Sequence, residues 1–170
     1  MENRILIFGN SGSGKSWLAS KLAESLRLPI VHFDKHFWES GGINQKRDKQ
    51  IVFQEITNLS QGKSWIMEGV FGELAEIALK NATFVVFLDK PWSECRAALM
   101  DRGSESAKQL DTVQAEESFK QLLQWAENYW NRSDLRSHTG HQALYDKAQC
   151  RKLIVKSRAE MDEVILAALH

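Results

Sequence analysis

The amino-acid sequence predicts a three-layer α/β/α fold, with helices covering both faces of a mainly parallel sheet of about five strands. Three observations lead there. Short apolar runs alternate with helical patterns from one end of the chain to the other, which is the rhythm of βαβ units. A glycine-rich octet stands at the first strand-to-helix junction, where a parallel sheet opens its ligand crevice. The chain has 170 residues, 43% of them hydrophobic and 26% charged. That is enough for one core, since a chain of this size buries roughly 70% of the surface it exposes when unfolded.

The strands are read at Arg4 to Phe8, Pro29 to Phe33, Ser64 to Met67, Thr83 to Leu88 and Leu153 to Val155. Each is short, rich in Ile, Val or Phe, and bounded by Gly, Pro, Asp or Ser. After the first strand, Leu18, Leu22 and Leu26 make one face of a helix; after the second, Ile51, Val52, Ile56 and Leu59 make another. In the last helix Met161, Val164, Ile165, Ala168 and Leu169 recur at helical spacing, and Ser157 with Glu160 forms a capping box ahead of them. The segment from Asp101 to Gly140 breaks the rhythm. It opens with Gly103, Ser104 and Ser106 and continues through Phe119, Leu122, Leu123, Ala126 and Trp130. It reads either as a packing helix or as a lid, with Arg102, Arg132 and Arg136 near its ends to close over phosphates. Domain organisation is therefore one unit, residues 1–170, with a lid-like region at 101–140.

Lysine plus arginine number 22 and aspartate plus glutamate 22, a formal net charge of +0. No global basic field gathers nucleic acid or an anionic membrane. No apolar run is long enough for a membrane span, and the start of the chain lacks an export signal, so a soluble cytoplasmic protein is expected. Cys95 and Cys150 stand far apart in no metal or redox spacing and read as buried small residues.

Gly9-Asn10-Ser11-Gly12-Ser13-Gly14-Lys15-Ser16 matches G-x-x-x-x-G-K-[ST] at every fixed position, after an apolar strand and before an amphipathic helix. Such glycines let successive N–H groups point inward, and the helix N-terminus adds partial positive charge, so the loop holds a polyphosphate. Lys15 is expected at the β- and γ-phosphates and the Ser16 hydroxyl on Mg²⁺. Two acids compete to complete the metal site: Glu68, after Trp65-Ile66-Met67, and Asp89, after Thr83 to Leu88 and just before Pro91, where it could instead cap a helix. Asp34 closes the second strand, ahead of Lys35-His36-Phe37-Trp38, and is placed to receive an acceptor's hydroxyl proton or to cap a turn. His36 reads as a satisfied surface histidine. Phe37 and Trp38 read equally as a stacking platform or as core. Arg96 and Arg102 are candidates to stabilise charge developing on a transferred phosphoryl group, against the plain reading of a solvated helix face.

Together these residues resemble the adenylate-kinase-like branch of P-loop kinases, and within it the bacterial DNA topology modulation protein family. The likeness runs through nearly the whole chain: the phosphate loop, Leu28-Pro29-Ile30-Val31-His32-Phe33-Asp34 with Phe37-Trp38, the strand ending Glu68-Gly69, Phe87-Leu88-Asp89 before Pro91, and Val155-Lys156-Ser157-Arg158. The resemblance implies a P-loop NTPase fold of nucleoside-monophosphate-kinase type with a five-stranded parallel sheet. It also implies ATP at the phosphate loop with Arg158 beside the nucleotide, an acceptor region after the second strand, and Glu68 in the metal-associated role. The sequence departs from the family in reading Glu68-Gly69-Val70-Phe71 for the usual Asp-Gly-Asn-Tyr, and in carrying Ala78 where an arginine usually stands.

The expected function is an ATP- and Mg²⁺-dependent kinase that moves the γ-phosphoryl group to a small acceptor such as a nucleoside or nucleotide. The alternative is a regulatory nucleotide binder or slow ATPase with no small-molecule acceptor. A GTPase switch is disfavoured because the chain has no Asn-Lys-x-Asp sequence.

Overall fold

The computed structural model describes residues 2–40, 45–103 and 112–169. Its five strands, all parallel, are β1 (Arg4–Gly9), β2 (Ile30–His32), β3 (Trp65–Gly69), β4 (Phe84–Leu88) and β5 (Arg151–Val155), ordered β2-β3-β1-β4-β5. The helices are α1 (Lys15–Leu26), α2 (Phe33–Phe37), α3 (Lys49–Ser60), α4 (Gly72–Leu79), α5 (Trp92–Arg102), α6 (Thr112–Glu127), α7 (His138–Lys147) and α8 (Met161–Leu169). A 3-10 turn, Asn128–Trp130, joins α6 to α7. No helix among the described residues is long and apolar enough to cross a membrane.

Because side chains alternate across a strand, the apolar strand runs supply two cores at once. Leu6 and Phe8 of β1, Met67 of β3 and Val85 and Phe87 of β4 face Val52, Ile56, Leu74, Ala75, Ala78 and Leu144 of α3, α4 and α7. Ile5, Ile7, Ile66, Phe84, Val86 and Leu88 face Leu18, Ala19, Leu22, Met161 and Val164 of α1 and α8. The same alternation places Glu68, two residues beyond Ile66, on the α1 side. β1 lies between β3 and β4, so the loop leaving it is flanked by the carboxyl ends of both, at the point where strand order reverses.

Four sequence expectations change. Phe33 does not end β2 but opens α2, where it is fully buried, so Asp34 stands in the first turn of a helix rather than at the end of a strand. The turn closes because the Asp34 carbonyl accepts the Trp38 N–H (3.2 Å), which brings Phe37 back onto Phe71 at 4.5 Å. On α3 only Val52 and Ile56, four apart, reach the core, whereas Ile51 and Leu59 are exposed. The capping box gives way to a tighter arrangement: the Glu160 carboxylate accepts the Lys156 N–H at 2.7 Å, and α8 begins at Met161. Asp89 does not cap α5, whose N-cap is Pro91; it pairs with His138 at 3.0 Å. Within the lid-like region, Ser104 and Ser106 lie outside the described residues. Cys95 is buried and Cys150 half-buried. Ala78 is fully buried in α4, so an arginine at that position has no room in this packing.

Candidate nucleotide and acceptor site

The phosphate loop runs from the end of β1 to the first turn of α1, with Gly14 as N-cap. Gly12 (φ 78°) and Gly14 (φ 94°) adopt left-handed backbone, which glycine alone takes at no steric cost. At Gly12 a side chain would also run into the Cys95 carbonyl oxygen, 2.3 Å away. The Asn10 side chain holds the loop from both ends: its oxygen accepts the Ser11 N–H (2.8 Å) and its amide donates to the Ala126 carbonyl (2.9 Å) at the end of α6. Ser13 Oγ is buried without a hydrogen-bond partner. The Lys15 ammonium donates to the Asn10 carbonyl at 2.7 Å. Burial lowers its pKa, and the nearby Glu68 and Asp34 carboxylates pull the other way.

β3 and β2 bring the acids in. Register pairs His32 with Glu68 across the parallel ladder, so the two side chains lie next to each other on the α1 side. His32 Nδ1 meets Glu68 Oε1 at 2.5 Å, and the Ser16 hydroxyl donates to the same oxygen at 3.0 Å. Burial pushes Glu68 up, yet the His32 hydrogen bond and the Lys15 charge leave it below the ordinary carboxylate value. His32 is raised in return, its hydrogen bond to Glu68 outweighing burial. Asp34, exposed on α2, completes the group: His32, Asp34 and Glu68 each offer an atom within 4.8 Å of the others. The sequence signal for His32 is an imidazole interrupting an otherwise apolar strand. Ser16, Glu68 and Asp34 offer the hard oxygen donors that suit Mg²⁺.

The two arginines of α5 part company. Cys95, Leu99 and Arg102 share the helix face that packs on the phosphate loop, and Arg102 is close enough for its charge to act on Lys15. Both arginines are exposed, but Arg96, a residue beyond Cys95 and so about 100° around the helix, lies off that face. Arg158 stacks on Trp17, its guanidinium carbon 3.7 Å from the ring centre, beside the start of α1. His36 is satisfied by Glu55 at 3.1 Å, which Arg47 also grips through two nitrogens. That pairing holds the Glu55 carboxyl down at about 2.

Beyond α2 lies a groove of about 550 Å³, lined by Phe37, Val52, Phe53, Trp125 and Leu135, by the cations Lys46, Arg47, Lys49, Arg132 and Arg136, and by the acids Glu73 and Asp134. Phe37, on its wall, is one helical turn from Asp34. Arg136 lies 4.6 Å from the centres of both the Phe37 and Phe71 rings and forks onto Glu73 through Nε and Nη2. Arg132 covers Trp125 at 4.2 Å and pairs with Asp134 at 2.8 Å. Behind this wall His141, fully buried, accepts from the Tyr129 hydroxyl (2.6 Å) and donates to the Val70 carbonyl (2.9 Å). Of these residues Phe37, Val52, Arg132 and Arg136 carried a signal in the sequence; Glu73, Arg47 and His141 meet their partners through contacts between elements.

No family model matches the chain, and no curated protein does. Solved structures do match over nearly its whole length. A gluconokinase from Sinorhizobium meliloti is 19% identical, with a TM-score of 0.58 and 99% of this chain and 90% of that one covered. A shikimate kinase from Acinetobacter baumannii, in complex with shikimate, is 16% identical, with a TM-score of 0.55 and coverage of 97% and 89%. The YorR protein of Bacillus subtilis, in complex with phosphorylated GDP, is 16% identical, with a TM-score of 0.52 and coverage of 97% and 93%. The fold is thus one shared with P-loop kinases of small molecules.

Proposed function

We propose that this protein is an ATP- and Mg²⁺-dependent phosphotransferase acting on a small hydroxylated acceptor. One observation carries the reading: the phosphate loop, the Ser16–Glu68 pair and Asp34 converge beside a groove of substrate size. In this reading the loop amides and Lys15 hold the β- and γ-phosphates, and Arg102 adds charge over the transferring group. Ser16 and Glu68, with Asp34 near, would hold Mg²⁺, which when bound neutralises phosphate charge. Asp34 orients the acceptor hydroxyl and takes its proton as the new O–P bond forms and the bond from the γ-phosphorus to the β-bridging oxygen breaks, with ADP leaving. Arg158 and Trp17 flank the nucleotide. His32 positions Glu68. Arg96 has no part in it.

The acceptor enters the groove beyond α2. The three arginines of its lining are paired with Glu55, Asp134 and Glu73, and the surplus charge of Lys46 and Lys49 favours an acceptor that carries negative charge, while the apolar lining favours a carbon frame over a bare oxyanion. A hydroxy acid or a phosphate monoester meets both requirements, and the shikimate of the structural neighbour is a ligand of the first kind.

The test is ADP release from ATP with Mg²⁺ against pools of hydroxy acids, sugar phosphates, nucleoside monophosphates and neutral sugars and nucleosides, with Lys15→Met as the blank. The expected result is stimulation by an anionic pool, abolished in the blank. Tight ATP binding with no stimulation by any pool would overturn the kinase reading in favour of a regulatory nucleotide binder.

A further inference from the structure

Lys90 follows β4 and precedes the Pro91 cap of α5, where the chain turns from sheet to helix. The residue is only 6% exposed, its stem covered as is usual where a lysine lies along apolar surface. Its ammonium lies 3.6 Å from the point where a side chain on Gly14 would begin, which puts it against the phosphate loop. Among the described residues no carboxylate comes within ion-pair distance of it. Glu94, on the first turn of α5, acts on it only at longer range, and burial lowers its pKa.

The surroundings deepen the imbalance. Gly14 is the N-cap of α1 and Pro91 that of α5, so Lys90 stands beside two helix ends that carry partial positive charge. Arg158 is close enough to repel it, and Lys15 follows Gly14 directly. A mostly covered cation beside two helix N-termini, with no ion-pair partner among the described residues, is placed to receive an anion.

We propose that Lys90 is a second nucleotide-binding lysine, whose ammonium contacts a phosphate oxygen of the bound nucleotide on the α5 side of the loop. The proposal rests on the nucleotide reading given above. In the free protein the ammonium has no ion-pair partner among the described residues, and the nucleotide's phosphates supply one.

The experiment is calorimetric titration of the full chain with ADP and, separately, with inorganic pyrophosphate, together with thermal melting of the ligand-free protein. Lys90→Met is expected to weaken both ligands by about tenfold, the loss of one charge-assisted hydrogen bond. Lys90→Arg is expected to stay within about threefold of the parent chain. Ligand-free Lys90→Met is expected to melt no lower than the parent, because methionine fills the same space without a charge. A structural lysine would show the reverse, a lower melting temperature with unchanged affinity, and that result would overturn the proposal. Loss confined to ADP with pyrophosphate unaffected would also overturn it, since Lys90 would then contact the ribose or base. If Lys15→Met loses ADP while Lys90→Met does not, only the role of Lys90 falls. If the parent chain binds neither ligand, the nucleotide reading falls and takes this proposal with it.

Discussion

Acidification should destabilise the fold through the buried His141, which sets the size of the effect. Its imidazole is fully buried between the Tyr129 hydroxyl and the Val70 carbonyl. Burial pushes its pKa down to about 3 from the ordinary 6.5. The folded value lies below the unfolded one, so between them the unfolded chain binds more protons, and stability falls as pH falls through the window. The contribution is fully present above about pH 6.5. Going from about pH 7.5 to about pH 5 removes about 2 kcal/mol, and the limit, reached near pH 3, is about 5 kcal/mol. His32 acts in the opposite sense: raised by its hydrogen bond to Glu68, it gains protons on folding and adds stability as pH falls toward and below the unfolded histidine value. Comparison with a variant separates the two. In His141→Gln the side-chain oxygen can accept from Tyr129 and the amide can donate to Val70, yet nothing titrates. Urea unfolding at both pH values is expected to show the parent losing about 2 kcal/mol more than the variant on acidification. Equal losses in the two proteins would refute the buried, neutral imidazole.

Three further outcomes are expected. Asp34→Asn should lower acceptor-dependent turnover roughly a hundredfold or more while ADP affinity, by calorimetry, stays within about twofold, because the carboxylate acts on the acceptor's proton rather than on the nucleotide. Gly72→Ala should destabilise the protein by about 1–3 kcal/mol in urea unfolding, since the new methyl would meet the Leu135 carbonyl oxygen at 1.8 Å and push the turn that carries Arg136. Arg136→Met should raise the KM of an anionic acceptor by about tenfold, read from initial rates, and leave ADP affinity unchanged.

The parts of the fold that were legible in the sequence are those fixed by neighbours in the chain. Strand periodicity gave five strands within a few residues of their ends, and the octet from Gly9 to Ser16 placed the loop, because each depends on local spacing. The β2 boundary failed for the same reason: Phe33 suits a strand in isolation, but its helical turn is set by Phe37 packing on Phe71, a contact across 34 residues. Choosing between Glu68 and Asp89 as the acid beside Ser16 needed the sheet face that each presents. Both close a strand next to β1, but only Glu68 faces α1. The groove was out of reach, since Arg136 meets Glu73 across 63 residues and the local sequence around neither names the other. Lys90, in a stretch that reads as a plain strand end, became conspicuous only once its burial was known.

The Asn10 bridge has a consequence for how the two ligands bind. Its amide joins the phosphate loop to the carbonyl of Ala126, and the next residue back, Trp125, is the platform under Arg132 in the groove wall. In the proposed reading, with phosphate in the loop and the acceptor in the groove, a shift of the loop would be carried through this hydrogen bond toward Trp125. Any such coupling would be reciprocal, each ligand changing the other's affinity by the same factor. One amide thus joins the two halves of the proposed site.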